Sequence, residues 1–153
     1  MKISKVAVFG TAKDGKKAVT ELPESLKDSL LALQKHIEVL VGDCQGLDVL
    51  VQKFLIENCP DRKVSVYYSF PENADLDKTK PRNYLGENNP NWQSVGIPVP
   101  SFYKSRAFYT QKDIAMCEDA DFGIAVWDGK SKGTERNIVQ LKFNGKSVDI
   151  ISI

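Results

Sequence analysis

Residues 129–134, Gly-Lys-Ser-Lys-Gly-Thr, gather two glycines, two hydroxyls and two lysines into six positions. Glycines let successive backbone N–H groups turn toward one anion, hydroxyls add donors and lysines supply charge. A helix starting near Thr134 would add unsatisfied N–H groups and the positive end of its dipole. The chemistry of such a loop is phosphate binding, through Gly129, Ser131, Gly133 and Thr134. Its plainer reading is a strand-to-helix turn with Thr134 as N-cap and solvated lysines. The pattern GxxxxGK[ST] is absent, so nothing supports ATP hydrolysis with bound magnesium.

Residues 42–48, Gly-Asp-Cys-Gln-Gly-Leu-Asp, repeat this design with the sign reversed. Gly42 and Gly46 allow a tight turn, while Asp43 and Asp48 bracket a helix start. Asp48 could accept hydrogen bonds from ribose hydroxyls or a base edge; Asp43 could instead cap the helix. Carboxylates beside a phosphate site make sense only toward a sugar or base, whose hydroxyl or amino groups need acceptors. A third loop offers Gly10 and Thr11 for close backbone approach and Lys13 for charge. It lacks GxGxxG, the fingerprint of a dinucleotide site.

Arg106, Lys112 and Asp113 could reach the same region from its rim, or lie on a solvated helix face. Trp127 either stacks on a base or roofs the core. Phe102, Tyr103, Phe108 and Tyr109 could form a ligand's other wall or a subunit contact, and Tyr84 and Trp92 are candidates for exposed lid aromatics. His36 has no partner at readable spacing. Three cysteines, Cys44, Cys59 and Cys117, stand far apart. An odd count without CxxC points to free thiols in a reducing compartment, and neither a metal nor a cofactor is expected.

These loops must be carried by strands and helices. Residues 5–10, 37–42, 63–69, 121–128 and 147–153 are apolar runs that suit strands covered on both faces. Between them lie helical patterns: Leu22, Leu26, Leu30 and Leu33 in one, Leu47, Leu50, Val51, Phe54 and Leu55 in a second. Residues 105–120 and 134–145 make two more, the last closed by Gly145. The order predicts one α/β domain over residues 1–153, a Rossmann-like three-layer sandwich with a mostly parallel sheet of about five strands. Residues 70–103, rich in Pro, Asn, Gly and Asp, form one long insertion, expected as a lid or binding loop. Ligands of such sheets lie outside the carboxyl ends of the strands, where strand order reverses.

With 21 basic and 20 acidic side chains, the net charge of +1 offers no footprint for duplex nucleic acid or an anionic membrane surface. DNA is therefore disfavoured as a partner. No run approaches the ~20 apolar residues that span a bilayer, and the first residues lack a signal-peptide core. A cytoplasmic location is expected.

The segments EVLVGDCQGLDVLVQKFL and VSVYYS, followed by QKDIAMCEDADFGIAVWDGKSKGTERNI, resemble the SLOG superfamily. That Rossmann-like group contains the LOG phosphoribohydrolases and the DNA-processing DprA/Smf proteins, and its small bacterial and phage members carry similar paired segments. The resemblance implies an α/β sandwich that binds a nucleotide or nucleotide-derived small molecule, and association of two copies into a homodimer. LOG-type hydrolases are similar to one another in a PGGxGTxxE loop. Here the position of that Glu is Asn137, the doubled glycine is Gly129-Lys130, and an Arg-Lys pair of the family reads Gln111-Lys112. Nucleoside deoxyribosyltransferases resemble the DADFGIAVWDG…GT segment and likewise place an acid beyond Gly-Thr. Glycoside cleavage requires a carboxylate beside the anomeric carbon. Asp43, Asp48, Asp113 or Glu135 could replace the missing one. The expected function is ligand binding, sensing or sequestering; an N-glycosidic hydrolase and a protein- or DNA-interaction module are the alternatives.

Overall fold

The computed structural model describes residues 2–11, 13–14 and 17–153, with the side chains of 13, 14, 17 and 18 outside the description. Six strands form one fully parallel sheet: β1 (Lys5–Gly10), β4 (Glu38–Gly42), β5 (Val64–Pro71), β6 (Trp92–Val99), β7 (Phe122–Trp127) and β8 (Ser147–Ser152). The two-residue strands β2 (Lys13–Asp14) and β3 (Lys17–Ala18) pair separately as a hairpin after β1. The order across the sheet is β6-β5-β4-β1-β7-β8. The chain thus builds outward from β1 in one direction and then crosses back to build in the other. The reversal lies between β1 and β7, with Val6 opposite Phe122 and Gly10 opposite Val126.

Side chains alternate between two cores, which explains why the strands read as continuous apolar runs. Val6, Val8, Val39, Val41, Val64 and Val66 face helices α1 (Glu24–Ala32) and α2 (Leu47–Asn58), meeting Leu26, Leu30, Leu47, Val51 and Leu55. Ala7, Phe9, Leu40, Tyr67 and Ala125 face α3 (Arg106–Asp119) and α4 (Lys132–Phe143), meeting Met116, Cys117, Ile138 and Leu141. Helices on both faces are what a parallel sheet requires. Arg62 secures the first layer. Its guanidinium donates to the carbonyls of Leu33, Gln34 and Ile37, and so places a cation where α1 leaves carbonyls unsatisfied.

The expected α/β sandwich is present, with one difference inside residues 70–103. That segment is not one long loop: β5 runs on to Pro71, a short 3-10 turn occupies Leu76–Lys78, and β6 forms the sheet's edge. β6 pairs with β5 along its whole length, from Trp92 opposite Val64 to Val99 opposite Pro71. Trp92 is only 6% exposed and packs in the α1–α2 core with Tyr84, which overturns its reading as a lid aromatic. The crossover from β5 to β6 contains no α-helix. Gln52 of α2 supports it instead, donating to the Asn83 carbonyl and accepting from the Leu85 N–H.

Candidate functional site

The loops after β1, β4 and β7 converge at the carboxyl edge, where the β1–β7 reversal leaves a crevice. The crevice has an outer compartment of about 600 Å³ and an inner one of about 340 Å³. Both are lined by Cys44, Arg106, Lys112, Asp113, Ser131 and Gly133, which makes them two parts of one cleft.

The β7–α4 loop is wound around its own aspartate. Asp128 Oδ1 accepts from the N–H groups of Lys130 at 2.9 Å and Ser131 at 2.8 Å. Those bonds, with weaker help from Thr11, hold its carboxyl below the usual carboxylate range. Gly129 takes φ +79°, the left-handed conformation that a turn this tight demands. The amides expected to face a phosphate are thus satisfied from within. Thr11 is buried and closes the loop against β1, donating to Asp128 Oδ1 at 3.4 Å and accepting from its N–H at 3.3 Å.

The loop still leaves an opening at the start of α4. The helix begins at Lys132 with Ser131 as its N-cap, Oγ accepting from the Thr134 N–H, so Thr134 stands inside the first turn and is not the cap. The N–H groups of Lys132 and Gly133 have no partner among the described residues. Gly133 has ordinary helical backbone, contrary to the expectation that it needs glycine's freedom. A Cβ there would meet nothing within 4 Å and would face the open cleft.

The β4–α2 loop turns out differently. Asp43 is 1% exposed and bound to Arg82, at 2.7 Å from Nη2 and 2.9 Å from the backbone N–H. Burial works against that guanidinium's charge, but the bonds to Asp43 outweigh it and raise its pKa. Asp43 therefore anchors the β5–β6 crossover and neither caps α2 nor faces a sugar. The N-cap is Gly46, whose φ of +87° excludes side chains. Asp48 accepts from the Cys44 N–H at 3.1 Å.

Lys112 of α3 lies beside the β4–α2 loop. It is 2% exposed, and its Nζ lies 2.7 Å from Asp113 Oδ1. A Cβ built on Gly42 would fall 2.5 Å from Asp48 Oδ2 and 2.9 Å from Lys112 Nζ, so both crowd one point and a methyl there would have to displace them. Burial pushes the Asp48 carboxyl up to about 6, with Lys112 pulling the other way and Asp113 adding to the rise. The Lys112 ammonium is opposed by burial yet raised overall by Asp113 and Asp48. Gly10 has a comparable packing role, because a Cβ would strike Leu47 and the Val126 carbonyl.

The remaining expected residues divide. Arg106 lines both compartments, entered through Ser105 at φ +55°, a strained conformation for a residue with a side chain. Trp127 packs on the α3–α4 core and donates from Nε1 to the Ser131 carbonyl, so it roofs the core and is not among the cleft's lining. The side chain of Lys13 lies outside the described residues. Cys44 lines the cleft, but burial raises its thiol despite Lys112, which disfavours the thiolate.

Two arginines of the cleft carry no local sequence signal. Arg82 comes from the crossover and lies over the Tyr109 ring at 4.1 Å. Arg136 comes from the second turn of α4 and donates to Thr110 Oγ1 at 3.0 Å. A third residue was read from the sequence only as a missing acid. Asn137 is 7% exposed and lines the inner compartment. No group of three or more His, Cys, Asp or Glu among the described residues could hold a metal ion, and no helix there is long and apolar enough to cross a membrane. No protein-family model matches the chain, and no curated protein matches it in sequence.

Proposed function

We propose that the chain is a SLOG-like cytoplasmic domain that binds a nucleotide or nucleotide-derived small molecule at the carboxyl edge of its sheet, to sense or sequester it. One observation carries the reading. Arg106, Lys130 and Arg136 line the outer compartment without a carboxylate partner among the described residues, beside the open N–H groups of α4. Other surface lysines are likewise unpaired among the described residues, but here three such cations converge on one crevice. Cations converging with a helix start are an anion site, and the inner compartment adds polar groups suited to a sugar or base. The combined space falls in the usual range for small-molecule pockets, roughly 300–1,000 Å³.

A second reading, N-glycosidic hydrolysis, is favoured by Asp113. Its carboxyl lines both compartments, is 24% exposed and is held by Lys112, whereas Asp43 is consumed by Arg82 and Glu135 pairs with Lys132 at 3.7 Å. One incubation separates the readings. The pure protein is mixed with nucleoside monophosphates and diphosphates, NAD, ADP-ribose and cyclic nucleotides, and mass spectrometry scores the retained and free pools. A nucleotide retained intact supports binding. Free base with ribose phosphate supports hydrolysis, and Asp113→Asn should then stop it. Retention of nothing, with no product, overturns both.

A further inference from the structure

We propose, resting on the nucleotide-binding reading above, that the cleft selects a diphosphate ester of a nucleoside over the monophosphate. The diphosphate lies in the outer compartment, and Asn137 hydrogen-bonds the sugar or base end in the inner one.

The outer compartment offers two separate positions for negative charge. One is the start of α4, where the Lys132 and Gly133 N–H groups are open and Lys130 stands beside them. The other lies between α3 and α4. Thr110 Oγ1 accepts from Arg136 Nη1 at 3.0 Å and donates at 2.7 Å to the carbonyl of Arg106, one turn earlier on α3. The guanidinium of Arg136 is thereby held toward α3, and Arg106, in the first turn of α3, lines the same compartment. A single phosphoryl group engages one position fully; two linked groups engage both. Asp128 opposes this only in part: its Oδ1 is turned to the loop's own amides, while its charge stays in the cleft wall.

The inner compartment supplies the second half. Asn137 is nine-tenths buried, yet its side-chain amide makes no hydrogen bond among the described residues, the nearby Cys117 thiol going to its backbone carbonyl instead. The amide's polar atoms are not sealed from solvent, so in a cleft wall they are open to whatever enters. An amide both donates and accepts, which suits sugar hydroxyls and base edges and adds no charge beside Asp48 and Asp113.

The test uses calorimetry with AMP, ADP, GMP, GDP and inorganic pyrophosphate on the full chain. In at least one base series the diphosphate is expected to bind at least tenfold tighter than the monophosphate. Arg136→Gln, at an exposed position, should collapse that ratio toward one. Asn137→Ala should weaken the nucleotides about tenfold while leaving pyrophosphate within twofold. Should Asn137→Ala fail to fold, Asn137→Ser replaces it. Equal affinity for mono- and diphosphates overturns the proposal and leaves nucleotide binding standing. Nucleotide binding that is indifferent to Asn137 overturns its assigned role. No binding of any nucleotide overturns both the proposal and the reading beneath it.

Discussion

The loops after β4 and β7 have similar composition, each joining a strand end to a helix start with an aspartate and glycine, yet they end in opposite conditions. The β4 loop is tied outward: Asp43 grips Arg82 of the crossover, and Asp48 lies near Lys112 of α3. The β7 loop is tied inward, Asp128 holding its own amides, and so it leaves the first N–H groups of α4 open. What separates a closed loop from one that leaves donors open here is which polar groups are already satisfied. Composition does not reveal that.

The comparison breaks most sharply at Asp43. Asp43→Ala removes three bonds from Arg82 and leaves its backbone N–H without an acceptor. Removing one partner of a buried pair costs about 3–5 kcal/mol; because Arg82 is 39% exposed and can turn to water, roughly 2–3 kcal/mol is expected in urea unfolding. Asp128→Ala, the matched change in the other loop, should have a much smaller effect. Equal losses would erase the distinction between the loops.

Asp48 sharpens it through pH. Its carboxyl is raised to about 6 from an ordinary 3.8, so the native state binds this proton more tightly than the unfolded chain. The stability it contributes is full below about 3.8 and is lost as pH rises through 6. Two pH units correspond to at most about 3 kcal/mol, and less here because part of the residue reaches the cleft. Asp48→Asn should therefore raise the melting temperature at pH 8 relative to the parent, with the gain fading toward pH 4. A variant destabilised equally at both values would show that the charged form is needed by Lys112 at every pH.

The glycines give the next smaller contrast. Gly42→Ala pushes a methyl into Asp48 and Lys112 and should destabilise by about 1–3 kcal/mol, the usual cost of overpacking. Gly133→Ala meets open space inside a helix and should stabilise the fold by up to about 1 kcal/mol. It should nevertheless weaken nucleotide binding, because the new methyl stands in the cleft. Thermal melts and calorimetry on the same samples would show whether stability and affinity part company as expected.

The fold was legible where burial on both faces produced unbroken apolar strands, and illegible where it did not. β6 reads Trp-Gln-Ser-Val-Gly-Ile-Pro-Val, where Gly96 and Pro98 interrupt the apolar run and mark a loop by the usual reading of those residues. An edge strand tolerates both, since one side of its backbone has no ladder to complete. The cleft was partly legible. Arg106, Lys112, Gly133 and Ser131 all line it, Lys112 buried and not on a solvated face, while Asp43 and Trp127 are engaged elsewhere. Arg82 and Arg136 had no local pattern, because each matters through a residue distant in sequence, Asp43 for one and Thr110 for the other.

The smallest expected effect comes from Asp128→Asn, and it carries two opposite signs. Asparagine keeps an oxygen for the Lys130 and Ser131 amides, so the turn survives with weaker bonds and a slightly lower melting temperature near pH 7. The native carboxyl is held below its ordinary value, so its contribution is present above about 3.8 and disappears as pH falls through the depressed value. Parent and variant should then converge in acid. Affinity should move the other way. Removing a negative charge from the cleft wall strengthens its pull on an anion, and the gain should shrink as salt is added. A variant less stable but tighter-binding at low salt would show that the loop's aspartate holds the β7 loop together at a cost in anion affinity. A loss of both would mean that the loop must be rigid before α4 can receive a phosphate.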